Sequence, residues 1–494
     1  MKKKYLFIRS KFMLPFSRKL GLKTRIEDGY VLTENDKIIE VGKYTNKKGE
    51  AILKKYGNEL YVIGSKKKKN FTINDLIQNN ACLMPGFVKA HGHDHESPII
   101  GIAKDCPLTV WLDEAVNVFT GFLNEKRKQL TKRFGKSPNF ITYLKARIDD
   151  IYYGITSSLV HHCNHNKYRV EEIVEANKIM YTKMFIAVGS QDRNYDKRIL
   201  DIPPEIAIKR LDEYIKKFSD APRTWIIPGP DQCFSNGPEL LKLLKNWAKE
   251  HNTLIHIHSS EEPKTTQWFI ETYKMTPVEY FDSINFLDEK TILAHQVNTT
   301  ENDLQILKRT GVKIVHNPLA NTILGSGMPP IKRFLELGIP FVISTDGSGS
   351  ADNQNIISAA KCAAQYQKGF HKDAAILPAE LLLQKITIEP AEFLGLNCGS
   401  LEAGKDADII LIDLTRPNLI PTRLDNLMEN LIWAADGSEV KTVIANGKIL
   451  KEDYEFIYSD YKTILKEVQE LSELLIDYKK KSGIKITGTG AHKE

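Results

Sequence analysis

The stretch Leu83-Met-Pro-Gly-Phe-Val-Lys-Ala-His-Gly-His93 decides the fold of this 494-residue chain. A short apolar run ends in two histidines that are separated by one residue. Because side chains alternate with a period of two along a strand, both imidazoles point the same way and can reach one cation. His91 and His93 are therefore candidate metal ligands at the end of a strand.

Further polar signatures follow in order, each at the end of an apolar run. They are His258-Ser-Ser-Glu261, Leu-Ala-His295, His316-Asn-Pro-Leu-Ala-Asn321 and Ser-Thr-Asp346-Gly. In a parallel barrel, reactive groups lie at the C-terminal ends of the strands, so side chains that are distant in sequence converge on one face. The order of these signatures predicts an α/β barrel that carries a hydrolytic site with one metal ion.

A third imidazole and a carboxylate would complete a ligand set suited to zinc, with one position open for water. We assign these two ligands to His258 and Asp346. The expected cofactor is one divalent ion, Zn²⁺ in the first place, with Fe²⁺ or Mn²⁺ as alternatives. Water on such an ion has a pKa near ~7, so hydroxide becomes available at neutral pH.

As an ordered set, these motifs resemble the amidohydrolase superfamily, and within it the metal-dependent branch of deaminases and chlorohydrolases that includes S-adenosylhomocysteine deaminase and triazine hydrolases. The resemblance extends from about Ala81 to Gly447. Other matching pieces are Cys106-Pro-Leu-Thr-Val-Trp111, Gly154-Ile-Thr-Ser157, Gly399-Ser-Leu-Glu-Ala-Gly-Lys-Asp-Ala-Asp-Ile409 and Val443-Ile-Ala-Asn-Gly447.

The resemblance implies a role for each matching residue. Glu261 becomes the proton shuttle, His295 orients or polarises the hydrolytic water, and Asp346 takes its proton. Removal of an amine from a nitrogen heterocycle requires protonation of the ring nitrogen and then of the leaving amine, and a carboxylic acid beside the metal can supply both protons. The implied metal ligands are His91, His93, His258 and Asp346. His256 lies on the same face as His258 and could exchange roles with it, but the spacing to Glu261 favours His258 as the ligand, with His256 packing beneath.

The implied architecture is a (β/α)8 TIM-like metal-dependent hydrolase barrel over residues 85–396, with a small β-sandwich domain built from residues 1–84 and 397–455. Short alternating strands such as Lys37–Gly42 agree with this, as does the helical spacing of Leu240, Leu244 and Trp247. Residues 456–494 are predicted to form an amphipathic helix over 460–481, which would dock on the barrel or on a second subunit, and a loose tail over 483–494. We expect a homo-oligomer. The basic stretch 9–23 has no counterpart in the family pattern.

Four further histidines have less definite predicted roles. His161, His162 and His165 follow another apolar run and could line the pocket or bind a second metal. The family bridges two metals with a modified lysine, and no such lysine signature is found here, so surface or supporting roles are favoured. The role of His95 stays open.

Composition predicts a cytoplasmic enzyme. The net charge of +7 is spread over 69 basic and 62 acidic residues, and runs such as Lys66-Lys-Lys-Lys69 are typical of solvated loops. No aromatic residues interleave with the basic ones, so we expect no nucleic-acid partner. The six cysteines lack Cys-x-x-Cys spacing. The apolar run 5–8 is too short to export the chain or cross a membrane, and no membrane association is expected.

The predicted substrate is a small heterocycle, and its candidate contacts are Trp111, Asp231, Gln232 and His316. Asp231 stands where nucleoside deaminases of the family often carry a histidine, which speaks against an adenosine-type substrate. An acid there could bind an amidine-like ring edge, as in guanine or a triazine, or could cap the next turn.

The sequence thus predicts a metal-dependent deaminase of an aminated purine, pyrimidine, pterin or triazine that releases ammonia. A chlorohydrolase or an amide hydrolase with the same metal site is the alternative. A non-catalytic scaffold is the alternative of another class, and the complete set of predicted ligands argues against it.

Overall fold

The computed structural model describes residues 3–57 and 59–484. Its strands are β1 Tyr5–Met13, β2 Ile26–Glu34, β3 Lys37–Lys43, β4 Leu60–Val62, β5 Asn79–Pro85, β6 Phe87–Lys89, β7 Ile155–His162, β8 Lys183–Ser190, β9 Thr224–Pro230, β10 Ile255–Ser259, β11 Thr291–His295, β12 Lys313–His316, β13 Phe341–Ile343, β14 Ile409–Asp413, β15 Val440–Ala445, β16 Lys448–Glu452 and β17 Glu455–Phe456.

The helices are α1 Asn46–Tyr56, α2 Leu108–Trp111, α3 Asn117–Glu125, α4 Arg127–Phe134, α5 Pro138–Tyr152, α6 Val170–Met180, α7 Glu205–Lys217, α8 Pro238–Glu250, α9 Pro263–Tyr273, α10 Pro277–Ser283, α11 Glu301–Thr310, α12 Pro318–Ile323, α13 Ile331–Leu337, α14 Ser348–Ala351, α15 Ile356–His371, α16 Ala379–Gln384, α17 Ile388–Leu394, α18 Leu427–Trp433 and α19 Tyr461–Lys481. Over the described ranges, no helix combines the length and the apolar character needed to cross a membrane.

Eight strands in the middle of the chain form two parallel four-stranded sheets, in the orders β6-β7-β8-β9 and β10-β11-β12-β13. Helices alternate with these strands, and the strands are almost entirely buried, as is usual for parallel sheets covered by helices. A parallel bridge between Gln232 and His258 links the end of β9 to β10. The C-terminal ends of the strands therefore carry the predicted polar signatures, as the sequence pattern requires.

Helix α8 shows how these sequences cover a sheet. It begins with Pro238 at its first turn, where the missing N–H costs nothing, and it buries Leu240, Leu244 and Trp247 on one face. These three residues belong to the main hydrophobic core, so the predicted stripe is confirmed as a packing stripe.

Both chain ends contribute to one further sheet, with the order β17-β16-β15-β14-β5-β1-β2-β3 and with β4 beside β1. The N-terminal β5 and the C-terminal β14 pair antiparallel, which joins the two ends. The stretch 9–23 begins as the second half of β1, and the residues that follow bury Leu14 and Phe16 in the main core. The short apolar run 5–8 is part of the same strand.

Helix α19 lies against its own chain. Leu471 and Leu475 pack with Trp111 and Phe119 in one apolar cluster. Lys479 donates a hydrogen bond to the carbonyl oxygen of Glu114. The helix therefore covers the segment that carries Trp111. The predicted loose tail lies, for residues 485–494, outside the described residues.

Candidate active site

The four predicted metal ligands lie together at the C-terminal ends of β6, β10 and β13, and all four are buried. Nε2 of His93 is 3.2 Å from Nε2 of His258. Oδ1 of Asp346 is 3.2 Å from Nε2 of His91 and 3.4 Å from Nε2 of His93. Ligands at the zinc distance of about 2.0–2.1 Å in a tetrahedron stand about 3.3 Å apart. The observed separations are those of a tetrahedral site.

Hydrogen bonds behind the rings fix which nitrogens face the site. Nδ1 of His93 is 3.1 Å from the carbonyl oxygen of His161, and Nδ1 of His258 is 2.7 Å from that of Asp231. A carbonyl oxygen only accepts, so each Nδ1 carries the hydrogen and each Nε2 presents a lone pair. Two lone pairs at 3.2 Å repel each other unless a cation lies between them.

A proton is a poor candidate for that cation. Burial lowers the pKa of His258 to about 3 and that of His93 well below its ordinary value. Nε2 of His91 is buried and has no hydrogen-bond partner among the described residues. Neutral imidazoles with inward lone pairs and one carboxylate are the donor set of a divalent metal, so the residues fit the predicted ion.

Glu261 and His295 complete the predicted catalytic set. Oε2 of Glu261 lies 3.5 Å from Nε2 of His295, which is also 3.8 Å from Oδ2 of Asp346. The amide of Asn321 donates to Nδ1 of His295 at 3.0 Å, so the hydrogen of this imidazole is on Nε2 and points into the site. Burial, together with the charge of Asp346, raises the pKa of Glu261 well above its ordinary value. These surroundings favour the protonated, uncharged form of the Glu261 carboxyl group.

Three strand ends turn sharply to aim these side chains. Ser260, His295 and Asp346 have φ values of 48°, 76° and 71°, in the left-handed region that residues other than glycine rarely adopt. Each such residue costs about 1–3 kcal/mol and persists only where its surroundings hold it, a condition that is common at active sites. Two of these three residues, His295 and Asp346, are predicted site residues, and the third, Ser260, directly precedes Glu261.

His256 lies beneath the metal ligands, as predicted, but it does more than pack. Its ring stacks on that of His91 with the two planes 9° apart. Its Nε2 is 3.0 Å from Nδ1 of His91. His256 thus lies behind the candidate ligand His91, whereas Nε2 of His258 lies beside Nε2 of His93.

A cavity of about 430 Å³ opens onto three of the four candidate ligands, His93, His258 and Asp346. The predicted substrate contacts Trp111, Asp231 and Gln232 line it, whereas His316 does not. His316 is fully buried, and neither of its ring nitrogens has a partner among the described residues. The other lining residues are His93, His95, Glu96, Leu108, Leu112, Val116, Cys163, Asn164, Tyr195, His258, Glu261, His295, Leu324, Asp346 and Ser350.

Sequence reasoning missed several polar residues of this wall, among them Glu96 and Tyr195. Burial and the nearby charge of Asp346 raise the pKa of Glu96 to about 8. Its Oε2 accepts hydrogen bonds from the backbone nitrogen and the hydroxyl of Ser350, both at 3.0 Å. Glu96 could have been found from its position three residues after His93. Tyr195 lies in the loop after β8, where no motif marks it.

The four histidines without a definite predicted role lie in three different places. His95, whose role the sequence left open, lines the cavity. His162 and His165 lie off the cavity: His162 packs on Tyr143 with 5.2 Å between the ring centres, and His165 has Nε2 3.8 Å from a carboxylate oxygen of Asp196. His161 is the member of its cluster that contacts the ligands.

Donor set, buried acid and strand-end geometry together define a hydrolase of the metal-assisted type. The pattern of the amidohydrolase family matches residues 82–450, and the chain belongs to the amidohydrolase family.

Curated relatives with deaminase names match most of the chain. The 5'-deoxyadenosine deaminase of Methanosphaera stadtmanae is 32% identical over 376 residues, which cover 76% of this chain and 83% of the relative. The 5-methylthioadenosine/S-adenosylhomocysteine deaminase of Thermococcus onnurineus is 30% identical over 430 residues, with 86% and 90% covered.

Solved structures share the fold at lower identity. An adenosine deaminase from Xanthomonas campestris with bound zinc superposes with a TM-score of 0.78 at 20% identity, covering 95% of this chain and 98% of that one. The atrazine chlorohydrolase of Arthrobacter aurescens TC1 with zinc gives 0.77 at 21% identity, covering 94% and 100%. One fold thus serves enzymes with different leaving groups.

Proposed function

We propose that this protein is a zinc-dependent hydrolytic deaminase of an aminopurine, with an adenosine-type nucleoside as the first candidate substrate. The observation that carries the proposal is the buried carboxyl group of Glu261, which lies 3.5 Å from Nε2 of His295 beside the four candidate ligands. An amine must be protonated to leave, and a buried acid meets that need. The deaminase names of relatives at 32% and 30% identity support the same reading.

A divalent ion held by His91, His93, His258 and Asp346 would lower the pKa of a bound water to about 7 and so supply the nucleophile. The Nε2–H of His295 holds the water oxygen, and Oδ2 of Asp346 accepts one of the water protons. The carboxylic acid of Glu261 gives its proton to the ring nitrogen next to the amino-bearing carbon, which makes that carbon electrophilic.

The same residues complete the reaction. Two protons remain to be placed, the one on Asp346 and the O–H proton of the added water. One of them passes by way of Glu261 to the amino group, the other returns Glu261 to its acid form, and the carbon–nitrogen bond breaks. Ammonia leaves, and the ring retains a carbonyl oxygen and a protonated ring nitrogen. Water is the only co-reactant, so the step balances without an oxidant or a reductant.

The substrate contacts remain proposals. Trp111 offers a flat face at the cavity wall and a buried Nε1–H that has no hydrogen-bond partner among the described residues, and Gln232 offers an amide. In the sequence analysis, Asp231 was an argument against an adenosine-type substrate. In the structure, its carboxylate is hydrogen-bonded to Nε2 of His161 at 3.1 Å. Because that carboxylate already has a partner inside the protein, its presence is compatible with an adenosine-type ring.

For the fold, we propose that the eight parallel strands close into a (β/α)8 barrel. Inward residues of seven strands share one apolar cluster: Val88, Leu159, Ala187, Ile227, Ile292, Val315 and Val342. The hydroxyl of Ser344 donates to the carbonyl oxygen of His91 at 2.7 Å, which links the ends of the two sheets. Apolar residues from both chain ends likewise share one cluster, which supports a small β-sandwich.

The test of function is a screen for ammonia release with the purified, zinc-loaded protein. Adenosine, 5'-deoxyadenosine, adenine, guanine, an aminopterin and an amino-triazine are compared with a chloro-triazine, and Glu261→Gln is the control for contaminating enzymes. Ammonia from an aminopurine supports the proposal. Chloride release without ammonia favours the chlorohydrolase, and no product at full zinc occupancy favours the non-catalytic scaffold.

A further inference from the structure

Three consecutive hydrogen bonds run from the metal ligand His91 to the cavity wall. Nδ1 of His91 is 3.0 Å from Nε2 of His256. Nδ1 of His256 is 3.1 Å from Nδ1 of His161. Nε2 of His161 is 3.1 Å from Oδ1 of Asp231. All four residues are buried, and Asp231 at the end of the series lines the cavity. We call the set His91, His256, His161 and Asp231 the imidazole relay.

The relay has one consistent arrangement of hydrogens when Asp231 is ionised. A carboxylate only accepts, so Nε2 of His161 carries the hydrogen and its Nδ1 is an acceptor. Nδ1 of His256 must then donate, which leaves its Nε2 as an acceptor for the Nδ1–H of His91. The lone pair of His91 is thereby placed on Nε2, the atom that stands 3.2 Å from Asp346.

The same two outer residues orient the other imidazole ligands through their backbones. The carbonyl oxygen of His161 accepts from Nδ1 of His93 at 3.1 Å. The carbonyl oxygen of Asp231 accepts from Nδ1 of His258 at 2.7 Å. His161 and Asp231 thus stand behind all three histidines of the site, and the side-chain path to His91 passes through two imidazoles that are not ligands.

We propose that Asp231 is a positioning residue that sets the tautomer of the metal ligand His91 through His161 and His256. Three hydrogen bonds separate the aspartate from the ligand. The carboxylate fixes which ring nitrogen of His161 carries the hydrogen, and this in turn fixes the hydrogen positions on His256 and His91. This inference rests on the metal site of the proposed function and is independent of the substrate.

The experiment measures zinc affinity by competition with a chelator, and activity is not needed for the readout. Asp231→Leu removes every acceptor at the end of the relay without removing a ligand, and His256→Phe breaks the relay in the middle. Each is expected to weaken zinc binding about 10- to 100-fold, the range seen when partners behind metal ligands are removed. Asp303→Asn, a buried carboxylate on α11 outside the site, is the matched control and should bind zinc as the wild type does.

The double variant Asp231→Leu/His256→Phe distinguishes an effect of Asp231 on zinc affinity through His256 from a direct effect of the Asp231 charge on the metal site. If Asp231 acts through His256, its loss changes nothing once His256 is gone, and the double variant binds zinc like His256→Phe alone. If the two losses multiply instead, Asp231 acts directly through its charge, and the relay is wrong. A wild-type protein that binds no stoichiometric zinc would overturn the proposed metal site rather than the relay.

A second measurement does not depend on variants that fold. Nitrogen-15 NMR of histidine-labelled wild-type protein distinguishes the two ring tautomers. The relay requires hydrogen on Nδ1 of His91 and of His256 and on Nε2 of His161. Hydrogen on Nε2 of His256 in the folded protein would contradict the proposed order.

Discussion

Glu261 and His295 are neighbours on the cavity wall, with Oε2 of the glutamate 3.5 Å from Nε2 of the histidine. They come from neighbouring strands, because Ser259 of β10 stands opposite His295 of β11 in register. Glu261 is two residues beyond that pair, where the left-handed turn at Ser260 redirects the chain. The parallel pairing of β10 and β11 thus brings the acid to the imidazole.

Replacement of Glu261 by glutamine should separate metal binding from turnover. The carboxyl group is not a ligand, so zinc content should be unchanged, while the rate of ammonia release should fall about a hundredfold or more, because proton transfer is lost. Zinc is measured by elemental analysis of the same sample. Glu262→Gln is the matched control, since that buried neighbour does not line the cavity. Near-normal turnover of Glu261→Gln at full zinc occupancy would contradict proton shuttling.

Replacement of a metal ligand should remove ion and activity together. We expect about one zinc ion per wild-type chain and loss of that ion in His93→Ala and in Asp346→Ala, with far-ultraviolet circular dichroism unchanged because the surrounding strands stay packed. His162→Ala, which alters a buried histidine off the cavity wall, serves as the control and should keep the ion. Two ions per active chain would rule out a mononuclear site.

Trp111 should contribute to substrate binding more than to chemistry. Its side chain lines the cavity, and leucine in its place removes a flat apolar face and an N–H donor. We expect KM for the substrate that the enzyme deaminates to rise about tenfold, which corresponds to about 1.4 kcal/mol of binding free energy. The change in kcat should be smaller, and the zinc content should be unchanged. Phe119→Leu, in the same apolar cluster but off the cavity wall, controls for lost packing. An unchanged KM in Trp111→Leu would remove this residue from the substrate contacts.

The ligands could be predicted from the sequence because each sits at a strand end with regular spacing. His91 and His93 are separated by one residue after β6, so alternation along the chain points them the same way. Asp346 follows the apolar run of β13, and the common C-terminal edge of parallel strands predicts that it lies near them. The proposed general acid, Glu261, was predicted from its spacing of three residues to His258. These features depend only on spacing along a short stretch of chain, so they can be recognised in the sequence.

The relay could not be predicted, because it depends on distances between strands. Nothing in the sequence says that His161 of β7 and His256 of β10 lie 3.1 Å apart, or that Asp231 after β9 accepts from the first of them. His316 shows the converse: it ends β12 with the expected pattern, yet it does not reach the cavity wall. A strand-end position alone does not determine how far a side chain reaches.

Lys451 of β16 offers a test of burial that is independent of the active site. Its ammonium group is buried and donates to the carbonyl oxygens of Tyr152 and Val440 at 3.0 and 2.7 Å. Burial lowers its pKa to about 8 from the ordinary 10.5. Between these two pH values the unfolded chain binds a proton that the folded chain has released, so the contribution of this residue to the free energy of unfolding rises with pH.

Below pH 8 both states are protonated, and the cost of burial is constant. Urea unfolding of wild type and Lys451→Met from pH 7 to 10.5 should therefore show a difference in the free energy of unfolding that is flat up to about pH 8. The difference should then rise in favour of the wild type by about 3 kcal/mol, since each pKa unit corresponds to about 1.4 kcal/mol. All other titrating groups are common to the two proteins and cancel in the difference. A difference that stays constant across the whole range would show that Lys451 keeps its proton in the folded chain.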